Sequence, residues 1–306
     1  YTVLDAPPNK SGAIALNLPP PYIHWSNSFY TFSADAEYSF LQNDSGIECK
    51  YQVNGIKGEV LCFTDYCGKV EYSTFRGGME PGASFSRYTV VLDEQDSSDY
   101  YQKCAAAVES ARSKGYAAIL DKHCREWTEY SSKSSIKIPD KHLQYLYDVS
   151  LYLARSHQNP ATGLISLGGY PVLWGGGISN SWDLIFVMRA LLTSNHIREA
   201  EKLIDGYTSI LPIAKDYANK MGMPGAYFAW FMNHEGRSLD FSDPREFPDI
   251  EKFNNGCLVM EAWELFAHTG DKAVLERHWD LIKDTVDFLI ACIVEEEDEI
   301  AWIREV

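Results

Sequence analysis

The sequence predicts a multidomain β + α fold, in which an antiparallel β-sandwich is followed by a helical linker and by part of an α/α barrel. In the first third of the chain, short stretches rich in Tyr, Phe, Val and Thr alternate with turn residues. Apolar residues then recur at the spacing of amphipathic helices, and long Gly- and Pro-rich loops join those helices. We expect residues 1–95 to form the sandwich, residues 96–138 the linker and residues 139–306 the first part of the barrel.

The composition excludes several classes of partner. Acidic residues outnumber basic ones, 43 against 27, and the formal net charge of −16 argues against nucleic acid and against an anionic membrane surface. No signal peptide is visible, and no stretch of about 18 apolar residues could span a membrane. Aromatic residues make up 13% of the chain, which suits a sugar site but equally suits ordinary core packing.

The cysteines predict free thiols in a reducing compartment. The seven cysteines are odd in number and scattered, and four residues separate Cys62 from Cys67 without a second pair at metal-binding spacing. We therefore expect a cytoplasmic protein that has no disulfide framework, no metal site and no bound cofactor.

The β-rich part is predicted by its turns. Asn54-Gly55 separates two apolar runs and is the clearest hairpin signal, while "YTVVLDE" from Tyr88 looks like the closing strand. Capping residues at Ser97, Ser98 and Asp99 then open a helical stretch that Gly115 interrupts.

The later helices follow from caps and from apolar spacing. We expect Pro212 to kink or split one of them, and "EIAWIREV" at the end to form a strand. About five barrel helices are too few to close a ring, and the chain starts without Met, so we expect it to be a piece of a longer protein. The helices are predicted to begin near Asp140, Trp182, Ile197, Asn254 and Asp271.

The stretch "YPVLWGGGISNSWDLIFVMRALL" carries the first candidate site. Trp182 could be a core residue and Asp183 a helix cap. Alternatively, Asp183 accepts hydrogen bonds from two adjacent sugar hydroxyls, and Trp182 or Trp174 packs against the C–H groups of the sugar ring.

The stretch "GMPGAYFAWFMNHEGRS" carries the second candidate site. Its aromatic residues, Phe228 and Trp230 among them, either plug the end of a helix bundle or form a second wall of the same pocket, with His234 and Glu235 just beyond.

Asn254-Asn255-Gly256 is the third candidate, either as a helix N-cap or as a source of amide hydrogen bonds to a ligand. All three candidates lie at helix starts or in loops between helices. Because alternate helix starts share one face of an antiparallel array, we expect the three to converge.

Four segments, taken in order, resemble glycoside hydrolase family 65 and its relatives in clan L. They are "ARSKGYAAILDKHCREWTEYSSKSSIKIPDKHLQYLYDVSLYLARS", "NSWDLIFVMRALL", "KMGMPGAYFAWFMNHEG" and "FNNGCLVMEAWELFAHTGD". The resemblance implies an amino-terminal β-sandwich, helical linkers and an (α/α)6 barrel. It also implies cleavage of an α-glucosidic bond with inversion, by water or by inorganic phosphate as co-substrate.

The resemblance further assigns site residues. Trp182 and Asp183 would line the subsite for the cleaved glycosyl unit, with Trp230 and Asn255 nearby. The general acid of such enzymes is a glutamate after a strand that "EIAWIREV" resembles, so it is expected just beyond Val306, and Glu305 is a weaker substitute.

Two positions depart from the family pattern. Ile185 and Phe231 stand where the family has acidic residues, and Glu235 or His234 would have to compensate. The alternatives are therefore another inverting glycosidase with a different sugar, or a non-catalytic sugar-binding or scaffold protein. The expected partners are an oligosaccharide or glycoside, the remaining segment of the same protein and, as a homodimer, a second copy.

Overall fold

The computed structural model describes most of the chain after residue 84 and the strands before it. Trp174, His234 and Glu305 lie outside the described residues. The chain divides into two compact units, Tyr1–Thr128 and Glu129–Val306. The described ranges are 2–5, 12–17, 24–26, 31–33, 36–43, 46–53, 56–64, 69–71, 74–79, 84–94, 96–166, 178–180, 182–233, 235–238, 252–295 and 301–303.

The first unit contains antiparallel sheets, as predicted. Its largest sheet has five strands in the order β1-β10-β7-β6-β5, a second has the order β2-β9-β8, and β3 pairs with β4. The strands are β1 (Thr2–Asp5), β2 (Gly12–Asn17), β3 (His24–Ser26), β4 (Thr31–Ser33), β5 (Ala36–Asn43), β6 (Gly46–Val53), β7 (Ile56–Thr64), β8 (Lys69–Glu71), β9 (Thr74–Met79) and β10 (Ser84–Asp93).

Two local predictions for this unit are confirmed. Strands β6 and β7 pair with Val53 opposite Ile56, which is the register of the hairpin predicted there. The stretch predicted as the closing strand lies in β10, which pairs with β7 and β1. Helix α1 (Tyr100–Ser131) follows, and Gly115 interrupts it with a non-helical conformation, φ 70° and ψ 169°.

The second unit is mainly helical. Helices α2–α6 begin within a few residues of the predicted positions. The elements are α2 (Lys141–His157), β11 (Ile178–Ser179), α3 (Leu184–Thr193), α4 (Ile197–Lys220), β12 (Phe231–Met232), α5 (Phe253–Thr269), α6 (Lys272–Ala291), β13 (Ile293–Glu295) and β14 (Ala301–Ile303). The strand predicted in the last eight residues is thus present as β14, which pairs with β13.

Capping side chains set several of these helix boundaries. The Asp140 carboxylate accepts hydrogen bonds from the backbone N–H groups of His142 and Leu143 at the start of α2. Gly270 ends α5 in the left-handed conformation, with φ 63°, and Asp271 then caps α6 by accepting from the Ala273 N–H group.

Pro212 does not split its helix, contrary to one of the two predicted outcomes. Helix α4 runs without a break from Ile197 to Lys220. Leu203, Tyr207 and Leu211 on this helix are buried in the core of the unit. Burial of this face outweighs the one backbone hydrogen bond that proline cannot donate.

Helices α3 to α6 share the main core of the second unit. Leu184 and Met188 from α3 pack with residues of the other three helices, and a smaller cluster forms around Tyr227 and Phe288. No described helix combines the length and the apolar character that crossing a bilayer requires. The six cysteines within the described ranges carry free thiols.

Candidate functional site

The first two candidate segments meet through a short antiparallel ladder. Strands β11 and β12 pair with Ile178 opposite Met232, and the Asn180 N–H group donates to the Trp230 carbonyl oxygen over 2.8 Å. The backbone just before Trp182 therefore runs beside the backbone that carries Trp230.

The third segment binds both of the others. Asn255 accepts a hydrogen bond from the Phe228 N–H group over 2.8 Å, and its Nδ2 donates to the Phe228 carbonyl oxygen over 3.3 Å. Asn254 Oδ1 accepts from the Trp182 N–H group over 2.9 Å. The predicted convergence of the three segments is thus found in the structure.

Trp182 is not a core residue. Half of its surface is exposed, and its ring lies edge-on to that of Phe186, with centroids 5.8 Å apart and an interplanar angle of 74°. Phe186 is exposed as well. An exposed indole braced by a second ring offers the flat apolar surface on which a sugar ring can stack.

Asp183 does not cap its helix, although it occupies the N-cap position of α3. Its backbone is already helical, with φ −61° and ψ −26°, and its side chain makes no capping hydrogen bond. A capping side chain needs an extended backbone to reach the N–H groups of the first turn. The Asp183 carboxylate is exposed beside Trp182 instead, and the capping alternative is wrong.

The aromatic residues of the second segment divide into two groups. Phe228 and Phe231 are buried, and the Phe228 ring packs edge-on against Tyr207 at 5.9 Å. The interpretation as a plug therefore holds for these two, and burial removes Phe228 from the residues that can touch a ligand. Trp230 is only half-buried, next to the ladder with β11.

Asn255 also has a role other than the predicted one. It is fully buried, and both polar atoms of its amide bond to the Phe228 backbone. It is not a helix cap either, because α5 begins two residues earlier at Phe253. Its contribution is to hold the second segment in place.

Glu235 lies in an exposed turn organised by Asn233, whose Oδ1 accepts from the N–H groups of Glu235 and Arg237. The Glu235 carboxylate lies 3.3 Å from Arg237 Nε. Of the two departures from the family pattern, Ile185 is half-buried in α3 and Phe231 is buried in β12.

Below the site, α3 and α5 are joined by a charged pair. Arg189 donates to Glu264 through Nε over 3.0 Å and through Nη2 over 2.6 Å. One turn earlier on α5, Glu261 is almost fully buried, and burial together with the neighbouring Glu264 carboxylate holds its pKa well above the ordinary value. Among the described residues, no three His, Cys, Asp or Glu side chains are grouped as metal ligands.

Two buried asparagines help to build the site through contacts that their sequence neighbourhood did not indicate. Asn180 and Asn254 are buried, and both bind backbone atoms of the other segments. Both lie inside candidate segments, Asn180 two residues before Trp182 and Asn254 beside Asn255, but nothing in the local sequence indicated their backbone partners.

Comparison with known proteins agrees with the resemblance noted from the sequence. No family model matches the chain. Over 162 residues it is 24% identical to a nigerose phosphorylase from Lachnoclostridium phytofermentans, a match that covers 51% of this chain and 21% of that protein. The chain thus aligns with about a fifth of this curated relative.

A solved structure gives the match in fold. It is a "Putative kojibiose phosphorylase from human microbiome", with a TM-score of 0.68 and 14% sequence identity, and the superposition covers 94% of this chain and 40% of that one. The two comparisons, one of sequence and one of fold, confirm that the chain resembles glycoside hydrolase family 65.

Proposed function

We propose that this chain provides the glycosyl-binding part of an enzyme that cleaves an α-glucosidic bond by phosphorolysis with inversion. The observation that carries the proposal is the exposed, non-capping carboxylate of Asp183 beside the exposed ring of Trp182. The matched sequence is named a nigerose phosphorylase and the matched structure a putative kojibiose phosphorylase, and these names favour phosphate rather than water as the nucleophile.

Asp183 and Trp182 have complementary roles in this proposal. The two carboxylate oxygens of Asp183 accept hydrogen bonds from two adjacent hydroxyls of the glycosyl unit. The indole of Trp182 packs against the C–H groups of the same ring, and Trp230 adds a second aromatic surface. The amino-terminal end of α3 carries partial positive charge, which favours an anionic carboxylate at this position.

The reaction itself needs two further groups. A general acid gives its proton to the glycosidic oxygen as the bond from that oxygen to C1 breaks, and a phosphate oxygen bonds to C1 from the opposite face. The products are β-glucose 1-phosphate and the free second sugar. We assign the acid to a glutamate that follows Val306, and Glu305, the weaker candidate, lies outside the described residues.

The predicted architecture belongs to the same proposal. Residues 1–95 would form the β-sandwich, residues 96–138 the linker and residues 139–306 the first part of an (α/α)6 barrel. In this arrangement α3 and α5 point their amino-terminal ends toward the substrate, which matches the position of Trp182 and of Asn254–Asn255 at those ends. The fold match over 94% of the chain supports it.

Binding to the 306-residue chain tests the glycosyl site. Kojibiose and nigerose are titrated by calorimetry, with the β-linked disaccharide cellobiose as a comparison. D183N should raise the Kd for the α-linked sugars by about tenfold or more, because charged hydrogen bonds to the hydroxyls are lost. D280N, which changes an exposed aspartate on α6, is the matched control and should leave Kd unchanged.

Turnover by a protein that contains this chain tests the reaction. We expect β-glucose 1-phosphate to accumulate from an α-linked glucose disaccharide only when phosphate is present. Release of free glucose alone without phosphate would point to a hydrolase. Sugar binding without turnover of any α-disaccharide would support the non-catalytic alternative.

A further inference from the structure

We propose that three buried asparagines, Asn180, Asn254 and Asn255, act as positioning residues that set the separation of the Trp182–Asp183 and Phe228–Trp230 segments. We call them the asparagine brace. The proposal rests on the proposed function, because it assigns the affinity of the sugar site to residues that do not touch the sugar.

Asn254 fixes the first segment. It is buried, it lies in the first turn of α5, and its Oδ1 accepts the hydrogen bond of the Trp182 N–H group over 2.9 Å. Asp183 follows Trp182 directly and leads into α3. This bond therefore ties the exposed indole and carboxylate to α5 rather than only to their own loop.

Asn255 and Asn180 fix the second segment. Their Nδ2 groups both donate to the carbonyl oxygen of Phe228, each over 3.3 Å. Asn255 Oδ1 also accepts from the Phe228 N–H group, and the Asn180 N–H group donates to the Trp230 carbonyl oxygen. Phe228 is thereby held on both of its backbone polar groups, two residues before Trp230.

The chemistry of asparagine suits this role. The three residues of the brace are between 0% and 2% exposed, so a polar group there that lacked a partner would be costly. An uncharged amide supplies both an acceptor and donors on one short side chain. The brace thus satisfies backbone groups of loops that form no long ladder with a sheet.

Hydrogen exchange tests the brace without any sugar. N254L removes the acceptor but keeps a side chain that is branched at Cγ, and N254D keeps an acceptor in a first helical turn, where a negative charge is favoured. Exchange of the peptide that spans Trp182, followed by mass spectrometry, should be about fivefold faster or more in N254L and close to wild type in N254D. N219L, at an exposed position of α4, is the matched control.

Binding of kojibiose tests the consequence for the site. N254L should raise Kd by about tenfold, whereas N254D should stay within about twofold of wild type. Unlike N254D, N255D should not keep the wild-type affinity, because Asn255 needs its donor as well as its acceptor. Far-UV circular dichroism at the assay temperature verifies that each variant is folded, and N254S, whose hydroxyl is too short to reach Trp182, replaces N254L if that variant does not fold.

The outcomes separate the two proposals. Wild-type chain that binds none of the α-disaccharides overturns the proposed function, and the exchange measurement still decides whether Asn254 holds the Trp182 segment. Wild-type chain that binds kojibiose, together with a folded N254L of equal affinity, overturns the brace and leaves the proposed function standing.

Discussion

The side-chain amide of Asn255 pairs with the backbone of Phe228 as a neighbouring strand pairs with a residue in a sheet. It accepts from the Phe228 N–H group over 2.8 Å and donates to the Phe228 carbonyl oxygen over 3.3 Å. The two residues are 27 positions apart. One side chain therefore satisfies both backbone polar groups of a buried loop residue, which would otherwise cost free energy.

Gly225→Ala should destabilise the second unit and displace the loop that carries Phe228. Gly225 has φ +82°, and a Cβ atom there would lie 2.1 Å from the carbonyl oxygen of Asp284 and 2.6 Å from the backbone nitrogen of Phe288. We expect a loss of about 2 kcal/mol or more in the free energy of unfolding, measured with urea.

Gly222→Ala is the matched control for that clash. Gly222 has φ +70°, but nothing lies within 4 Å of its added Cβ, so only the conformational cost of about 1 kcal/mol applies. Equal losses in the free energy of unfolding for the two variants would show that the close approach of Gly225 to α6 does not affect stability.

Glu59 should make the first unit less stable as the pH rises. Its side chain is buried in the sheet, and burial, followed by the neighbouring Glu48, raises its pKa to about 7, while Lys50 acts in the opposite direction. Cys104 on α1 also faces it, with a pKa of its own raised to about 11 by burial. The pKa of Glu59 is higher in the folded than in the unfolded state. The contribution of Glu59 to the free energy of unfolding is therefore present below the unfolded pKa and is lost as the pH rises through about 7.

The measurement compares the urea midpoint of the first unit at about pH 5 and about pH 8. Glu59→Gln should remove most of the decrease, and Glu37→Gln, at an exposed position of β5, should retain it. A wild-type midpoint that rises between the two pH values would contradict the assignment.

His196 should make the second unit less stable as the pH falls. It is buried, its ring contacts that of Tyr130 at 4.2 Å, and Nε2 lies 3.0 Å from the Tyr130 carbonyl oxygen. Burial lowers the pKa of His196. Its contribution to the free energy of unfolding is therefore complete above the unfolded pKa and is lost as the pH falls.

Thermal melting between about pH 7.5 and about pH 5.5 tests this. His196→Gln should reduce the acid-induced decrease in Tm, whereas His142→Gln, at an exposed position of α2, should not. The same decrease in Tm with falling pH in all three proteins would exclude His196 as the cause of that decrease.

Glu261→Gln should stabilise the second unit, and more at about pH 8 than at about pH 5. The raised pKa of this carboxyl means that its ionised form is unfavourable in the folded state, and Oε2 has no hydrogen-bond partner among the described residues. Glu264→Gln, which removes the partner of Arg189, should instead cost a little stability at both pH values. Urea unfolding at the two pH values gives the comparison.

Features that depend on neighbours in sequence were predictable. Asp140 and Asp271 cap their helices through bonds to residues two or three positions away, and Gly270 ends α5 by its own conformation. The register of β6 and β7 follows from two turn residues. These elements need no knowledge of the tertiary structure.

Features that depend on distant backbone were not predictable. Asp183 has the same side chain as Asp140, but its backbone is helical, and nothing in the residue type indicates that difference. Asn254 reaches Trp182 across 72 positions, so the local pattern suggested a cap or a ligand contact but could not indicate this partner. At Pro212, burial of α4 outweighed a reliable local signal.

The bonds of the asparagine brace to the loops end on main-chain atoms. Exchange of loop side chains therefore leaves these supports intact. A library that varies positions 230 and 235 while retaining the three asparagines would search for new sugar preferences on an unchanged frame. The same frame would accept loops grafted from relatives of different specificity, provided that the backbone of the residue at position 228 is preserved.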